Sequence, residues 1–345
     1  MKIGNFEINT NSEVFIIAEL SANHNGSIKT AIETIKAAKR AGANCIKFQT
    51  YTSNTMTIDS DKDDFKIKGT IWEGKNLYEL YQEAYTPWEW HRELFQVAKE
   101  EGLVCFSSPF DKTAVDFLET LDVPAYKIAS FEITDIPLIE YVASKGKPII
   151  ISTGIAIIKD IELAIEACKR KGNHNIALLK CTSSYPAPVD EANISMIKDL
   201  AERFNVLSGL SDHTMGSVVP IVATALGAKI IEKHFILDRS IGGPDASFSM
   251  NEEEFTQMVK SIRSAEKAIG HINYDLTEKQ RKGKDFSRSL YIVEDVKAGD
   301  KITDKNVRSI RPGFGLHPRF LESIKGKFFL KDYEKGTRMS MKYVK

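Results

Sequence analysis

Two short stretches carry the first chemical signal. "GLSDHT" (209–214) ends an apolar run on an acid and a histidine, and "KIIEKHF" (229–235) repeats the pattern. His213 and His234 are 21 residues apart, room for one helix and one strand, so the spacing predicts both rings at adjacent strand ends and at one level. Two imidazoles without thiolates do not make a closed structural zinc site, which takes four protein ligands. They suit a divalent ion that keeps positions open for water and substrate. Asp212 and Glu232 either orient the rings from behind or serve as ion-pair residues of the strand layer.

A second pair is cationic. Lys47 in "NCIKFQT" (44–50) and Lys127 in "AYKIAS" (125–130) interrupt otherwise apolar runs. A buried ammonium costs several kcal/mol unless an anion pairs with it. That anion is either a carboxylate of the protein itself or a bound phosphate or carboxylate. Hydroxyl residues end the same set of runs: Ser107, Ser108, Ser130, Ser152, Thr153, Thr182, Ser183, Tyr185 and Ser211, with Glu19 and Gln49 at the ends of others. Ammonium groups and hydroxyl donors together make an anion cradle.

The elements that must position these residues are eight apolar runs, 14–20, 44–50, 103–110, 125–130, 148–154, 176–184, 206–214 and 229–235. Near-continuous apolarity suits parallel strands covered on both faces. Amphipathic stretches such as "TAIETIKAAKRAG" and "PWEWHRELFQVAKEEG" lie between them, and Gly42, Gly102 and Gly227 fall where helix C-termini want a left-handed cap. The expected fold is a (β/α)₈ barrel over residues 1–270. A doubly wound sheet is the alternative, but eight evenly spaced units favour closure. The polar residues then collect at the C-terminal strand ends, where barrel enzymes keep their active sites. Residues 51–86 far exceed an ordinary βα loop and predict a lid or substrate-binding insertion. A polar linker (271–285) and a small, mostly β module (286–345) follow.

The 345 residues are 42% hydrophobic and 27% charged, with zero formal net charge, which gives no reason to expect a nucleic-acid partner. The average hides a split: residues 286–345 hold 14 Lys and Arg against 7 Asp and Glu, so the module is basic and the rest acidic. The two should attract, within or between chains. Cys45, Cys105, Cys168 and Cys181 lack metal or redox spacing and read as buried residues of a reducing compartment. No run approaches a membrane span and none reads as a signal peptide, so the expected location is the cytoplasm, with no membrane partner.

The motifs "IAELSANHNG" (17–26), "IKFQT" (46–50), "FSSPF" (106–110), "AYKIAS" (125–130), "KCTSSYPAP" (180–188), "GLSDHT" (209–214), "ALGAKIIEKHF" (225–235), "GPDASFSM" (243–250) and "IRPGFG" (310–315) together resemble the sialic acid synthase family. The likeness covers nearly the whole chain, and residues 286–345 look like its antifreeze-like domain. "DFKIKGTIW" (64–72) and the "LYELY" after it look like the pseudaminic acid branch. The resemblance implies condensation of phosphoenolpyruvate with an N-acetylated aldose. His213 and His234 would hold Mn²⁺, Mg²⁺ or Co²⁺. Lys47, Lys127, Ser130, Ser152, Ser183 and Ser211, with the Ser108 hydroxyl, would hold phosphoenolpyruvate. Tyr185 and Asp245 would contact the sugar, with Gln49 a further substrate-binding candidate. Arg311 would reach the sugar's N-acyl group in the neighbouring subunit, implying a domain-exchanged homodimer.

On that reading Glu19 is the general acid or base, and His24 is either structural or substrate-contacting. A metal-dependent barrel hydrolase is a competing reading, but it leaves Lys47 and Lys127 without a task. An ice- or sugar-binding module is another; fourteen cations match a flat, weakly polar ice face poorly.

Overall fold

In the computed structural model, which describes residues 1–345, eight parallel strands close into a barrel. They are β1 (Phe15–Glu19), β2 (Cys45–Thr50), β3 (Val104–Pro109), β4 (Tyr126–Ile128), β5 (Ile149–Ser152), β6 (Ile176–Cys181), β7 (Leu207–Asp212) and β8 (Ile230–His234). Each lies inside one of the eight apolar runs. β8 pairs with β1 to close the ring, setting His234 opposite Glu19, and Glu19 in turn faces Lys47 on β2. The doubly wound alternative is excluded by that closing pair.

Strand parity separates the core from the chemistry. Ile16, Ala18, Ile46, Phe48, Leu210 and Ile231 turn outward and pack against helix residues such as Ile35, Leu94 and Phe255. Their helices are α1 (Ile28–Arg40), α2 (Trp88–Glu100) and, after the last strand, α3 (Glu252–Ile269). Each buried Ile or Phe contributes about 1.5–3 kcal/mol. The alternate positions Glu19, Lys47, Glu232 and His234 face inward above a second apolar cluster that includes Phe15, Ile17, Phe106, Leu179 and Ile230. Gly209 lets β7 fit this layer: a Cβ there would meet the Ile230 carbonyl oxygen at 2.2 Å. Gly42, Gly102 and Gly227 follow their helices with φ of +90°, +69° and +98°, as helix-ending glycines should.

The 51–86 insertion is ordered chain, with helices at Ser53–Met56 and Leu77–Ala84; Asn76 accepts from the Glu79 amide at 2.8 Å to cap the second. The chain divides into two compact units, Met1–Gly270 and His271–Lys345. In the second unit, strands β9 (Ser289–Ile292) and β10 (Val307–Ile310) pair antiparallel over a separate core that includes Leu290, Ile302, Ile324 and Phe329. Residues 271–285 ahead of them carry one short helix, Glu278–Gly283. No helix is long and apolar enough to cross a membrane.

Two histidines of the first unit are structural. His24 is fully buried; its Nδ1 accepts from the Gly26 amide at 3.1 Å and its Nε2 reaches Thr86 Oγ1 at 3.2 Å. His91, also fully buried, reverses the tautomer, with Nδ1 toward the Pro87 carbonyl at 3.2 Å and Nε2 toward Thr50 Oγ1 at 2.8 Å. Burial pushes both down to about 4. Their contribution to stability is complete above pH 6.5 and is lost as pH falls from 6.5 toward 4, because the unfolded chain takes the proton first. Each ring should therefore cost about 2 kcal/mol at pH 5 relative to pH 7. Urea unfolding at the two pH values measures this, and His91→Gln should flatten the dependence by about half.

Candidate active site

The floor of the site is a charge cluster inside the barrel. Lys47 Nζ lies 2.5 Å from Glu19 Oε2 and 3.5 Å from Glu232 Oε1, and donates to Ser108 Oγ at 3.3 Å. Lys127 Nζ donates to Ser152 Oγ at 2.6 Å and lies 3.8 Å from Glu232 Oε1. Ser211 Oγ donates to the same Glu232 oxygen at 3.0 Å. Both lysines thus have an internal carboxylate partner and hydroxyl neighbours. Burial works to lower both ammonium groups. For Lys47 the Glu19 and Glu232 carboxylates overcome it and the net shift is upward, whereas Lys127 is left below its ordinary value. Burial raises Glu19 to about 6 against the pull of Lys47.

The strands hold two further buried lysines that serve other ends. Lys233, between Glu232 and His234, turns the opposite way and pairs with Asp212. Lys180 donates to the Cys181 carbonyl at 2.7 Å. Asp212 also accepts from Thr214, so it does not orient a histidine ring, and Glu232 serves the lysines instead.

His213 and His234 stand at adjacent strand ends, ring centres 5.3 Å apart, as their spacing predicts. His213 Nδ1 donates to the Thr182 carbonyl at 2.9 Å, which leaves Nε2 free. His234 Nδ1 is buried with no hydrogen-bond partner, 3.7 Å from Asp245 Oδ2, and burial holds this ring well below its ordinary value, hence neutral. A backbone carbonyl fixing one tautomer and an orphaned nitrogen on the other ring fit a two-histidine metal site. No group of three or more His, Cys, Asp or Glu side chains is arranged to hold an ion, so substrate and water would supply the remaining ligands. Cys181 Sγ lies 3.9 Å from His213 Nδ1. Burial works to raise its thiol, but His213 and the Ser130 hydroxyl bring it down to about 7, unlike Cys45, Cys105 and Cys168, which burial raises.

Above the floor lies a cavity of about 200 Å³ lined by Gln49, Ser130, Tyr185, His234 and Asp245 together with Ser21, Tyr51 and Glu132. Ser21 is held at φ +47°, a costly conformation for serine, with its hydroxyl accepting from Gln49 Nε2 at 2.9 Å. Ser183 packs with Ser130 over Gly154, where a Cβ would meet the two hydroxyl oxygens at 2.1 and 2.7 Å. Gly154→Ala should therefore raise the KM of an anionic substrate on this floor by about 10–100-fold, the scale of a lost charge-assisted contact; a KM within twofold of wild type would show that the two serines do not hold that substrate. Arg311 belongs to the second unit, where its side chain is exposed.

Glu132 escaped the sequence reading. It sits in the turn Ser130–Glu132 just past β4, outside any periodic run, and only its position in a βα loop marked it. Its Oε2 is buried without a partner. Burial pushes the carboxyl up to about 7, with Lys127 opposing. Trp72, from the insertion, was also missed: its Nε1 donates to the Pro244 carbonyl at 2.9 Å and its ring lies 5.6 Å from Tyr185.

Comparison with known proteins places this geometry. Residues 34–274 match the NeuB family and residues 287–337 match the SAF domain. The chain is 50% identical to a pseudaminic acid synthase of Campylobacter jejuni over 98% of each chain. It is 47% identical to the pseudaminic acid synthase of Helicobacter pylori over 94% of this chain and 96% of the relative. Among solved structures it is similar to the N-acetylneuraminic acid synthetase of Leptospira borgpetersenii, crystallised with citrate, at a TM-score of 0.73 and 32% identity, over 82% of this chain and 94% of that one. The chain belongs to the NeuB family, its barrel followed by a SAF domain.

Proposed function

We propose that this chain is a pseudaminic acid synthase, condensing phosphoenolpyruvate with 2,4-diacetamido-2,4,6-trideoxy-L-altrose to give pseudaminic acid and phosphate. The observation that carries the chemistry is the pairing of a lysine–serine floor with two carboxyls raised to about 6 and about 7 beside it. Lys47, Lys127, Ser108, Ser130, Ser152, Ser183 and Ser211 hold the phosphate and carboxylate of phosphoenolpyruvate. Its C3 attacks the open-chain aldehyde carbon, and the aldehyde oxygen takes a proton from Glu132, the carboxyl raised further and still partly protonated near neutral pH. Water adds to C2 and gives a proton to Glu19, the carboxyl ionised near neutral pH. The tetrahedral intermediate expels phosphate by C–O cleavage as its C2 hydroxyl becomes the keto oxygen and passes its proton to the departing phosphate. A divalent ion on His213 and His234 would polarise the aldehyde oxygen.

Gln49, Tyr185 and Asp245 bind the sugar in this scheme. Arg311 acts on the N-acyl group from the neighbouring subunit of a domain-exchanged homodimer; the basic module and acidic barrel support that pairing. The cytoplasm supplies phosphoenolpyruvate.

Phosphate release with Mn²⁺ tests the substrate. Turnover with the trideoxy altrose is expected; turnover with N-acetylmannosamine alone would make the chain an N-acetylneuraminate synthase with the same mechanism. His213→Ala and His234→Ala should each abolish turnover, and metal-stimulated activity surviving in either variant would remove the metal assignment.

A further inference from the structure

Each histidine of the site has a buried charged neighbour that faces away from the floor. Asp212 and Lys233 continue the outward rows of Leu210 and Ile231, next to an apolar cluster that includes Val219 and Ala223. Lys233 is 1% exposed, Asp212 3% and Thr214 1%. The Lys233 ammonium donates to Asp212 Oδ2 and, at 2.5 Å, to the Thr214 carbonyl. Asp212 Oδ1 accepts from the Thr214 amide at 3.0 Å and from its hydroxyl at 2.9 Å. We infer that Asp212 and Lys233 are positioning residues: acting through the backbone, their clip sets the spacing of the His213 and His234 rings and so the affinity for a divalent ion. The inference rests on the two-histidine metal reading above and adds to it the residues that hold the ligands in place.

Three observations carry it. The pairing register of β7 and β8 ends at Asp212 and Lys233, one residue short of both histidines. The clip is therefore the last link between the two strands beneath the rings. It also grips the chain on both sides of His213, at Asp212 before it and Thr214 after it, while the His213 carbonyl accepts from the Ala187 amide at 2.9 Å. So held, the ring meets the Thr182 carbonyl that fixes its tautomer. Finally, stability does not account for the pair. Replacing a buried ion pair by apolar side chains of similar volume often leaves a protein as stable or more so, but apolar side chains cannot hold the Thr214 carbonyl or amide. Changing the groups behind metal ligands typically costs about 10–100-fold in metal affinity.

The experiment titrates metal-free protein with Mn²⁺ alone and reads the free ion by electron paramagnetic resonance. Lys233→Met by itself strands the Asp212 charge and risks misfolding, so the apolar pair Asp212→Leu, Lys233→Met carries the test. It should melt close to wild type or above it and raise the Kd for Mn²⁺ by about 10–100-fold, with the KM of phosphoenolpyruvate within twofold of wild type. Asp212→Asn keeps the shape without the charge that holds Lys233; it is the second route and should raise the Kd at least threefold. A Kd within twofold of wild type in either folded variant overturns the clip and leaves the metal assignment standing, as does a KM for phosphoenolpyruvate that rises as much as the Kd, which would mark a general loosening of the barrel. A wild-type protein that binds no Mn²⁺ overturns the metal assignment, and the clip with it.

Discussion

Glu132→Gln should lower kcat by about 10²–10⁴ while the protein folds at least as well as wild type. The amide keeps the shape but cannot surrender a proton to the aldehyde oxygen. The pH profile carries the diagnosis. Burial holds Glu132 at about 7, so its protonated form fades as pH rises through that value, and the wild-type rate should fall on the alkaline side. Bound phosphoenolpyruvate is anionic and moves that limb higher still. The limb should vanish in Glu132→Gln; its survival would assign the proton to another group. Stability moves the other way. A carboxyl raised in the folded state stabilises less as pH climbs above its unfolded value of 4.5, and Oε2 is buried without a partner. The variant should gain about 1–3 kcal/mol at pH 8. A residue kept for structure would show the reverse, a loss of stability with kcat little changed.

Lys47→Met should have the largest effect on stability. It leaves Glu19 and Glu232 buried at the barrel centre with only Lys127 nearby. Breaking a buried pair in this way costs about 3–5 kcal/mol, or roughly 10 °C in the melting temperature of a domain this size. The double variant Glu19→Gln, Lys47→Met removes one charge of each sign and should recover most of that loss without recovering turnover. The recovery measures the coupling between the two side chains. If the double variant melts no higher than Lys47→Met alone, Glu19 is not what Lys47 stabilises.

The fold was legible because parallel strands buried on both faces must be apolar along their length, and each of the eight runs holds one barrel strand. His213 and His234 were legible for the same reason, since one helix and one strand between them fix their relative level. Lysine count was less informative. Lys47, Lys127, Lys180 and Lys233 all interrupt apolar strands, and only parity around the closed ring separates those that meet Glu232 from those that do not. Glu132 and Trp72 lie in connections, where no periodicity marks a residue and only the folded cavity reveals what they face. Asp212 resembled a partner of its neighbour His213, yet side chains one apart on a strand point to opposite faces, and it serves Lys233.

The charged floor joins the first strand to the last: Glu19 stands on β1 and Glu232 on β8. At about 5–20 residues per second of synthesis, roughly 10–40 s separate their appearance at the ribosome. Shortly before its end Lys47 and Lys127 have both been made, but the carboxylate they share has not. Lys47 can meet Glu19 early, whereas Lys127 waits for Glu232, and both edges of the growing sheet stay open. Closure is withheld until the eighth strand arrives, so the nascent barrel depends on whatever shields its edges until then.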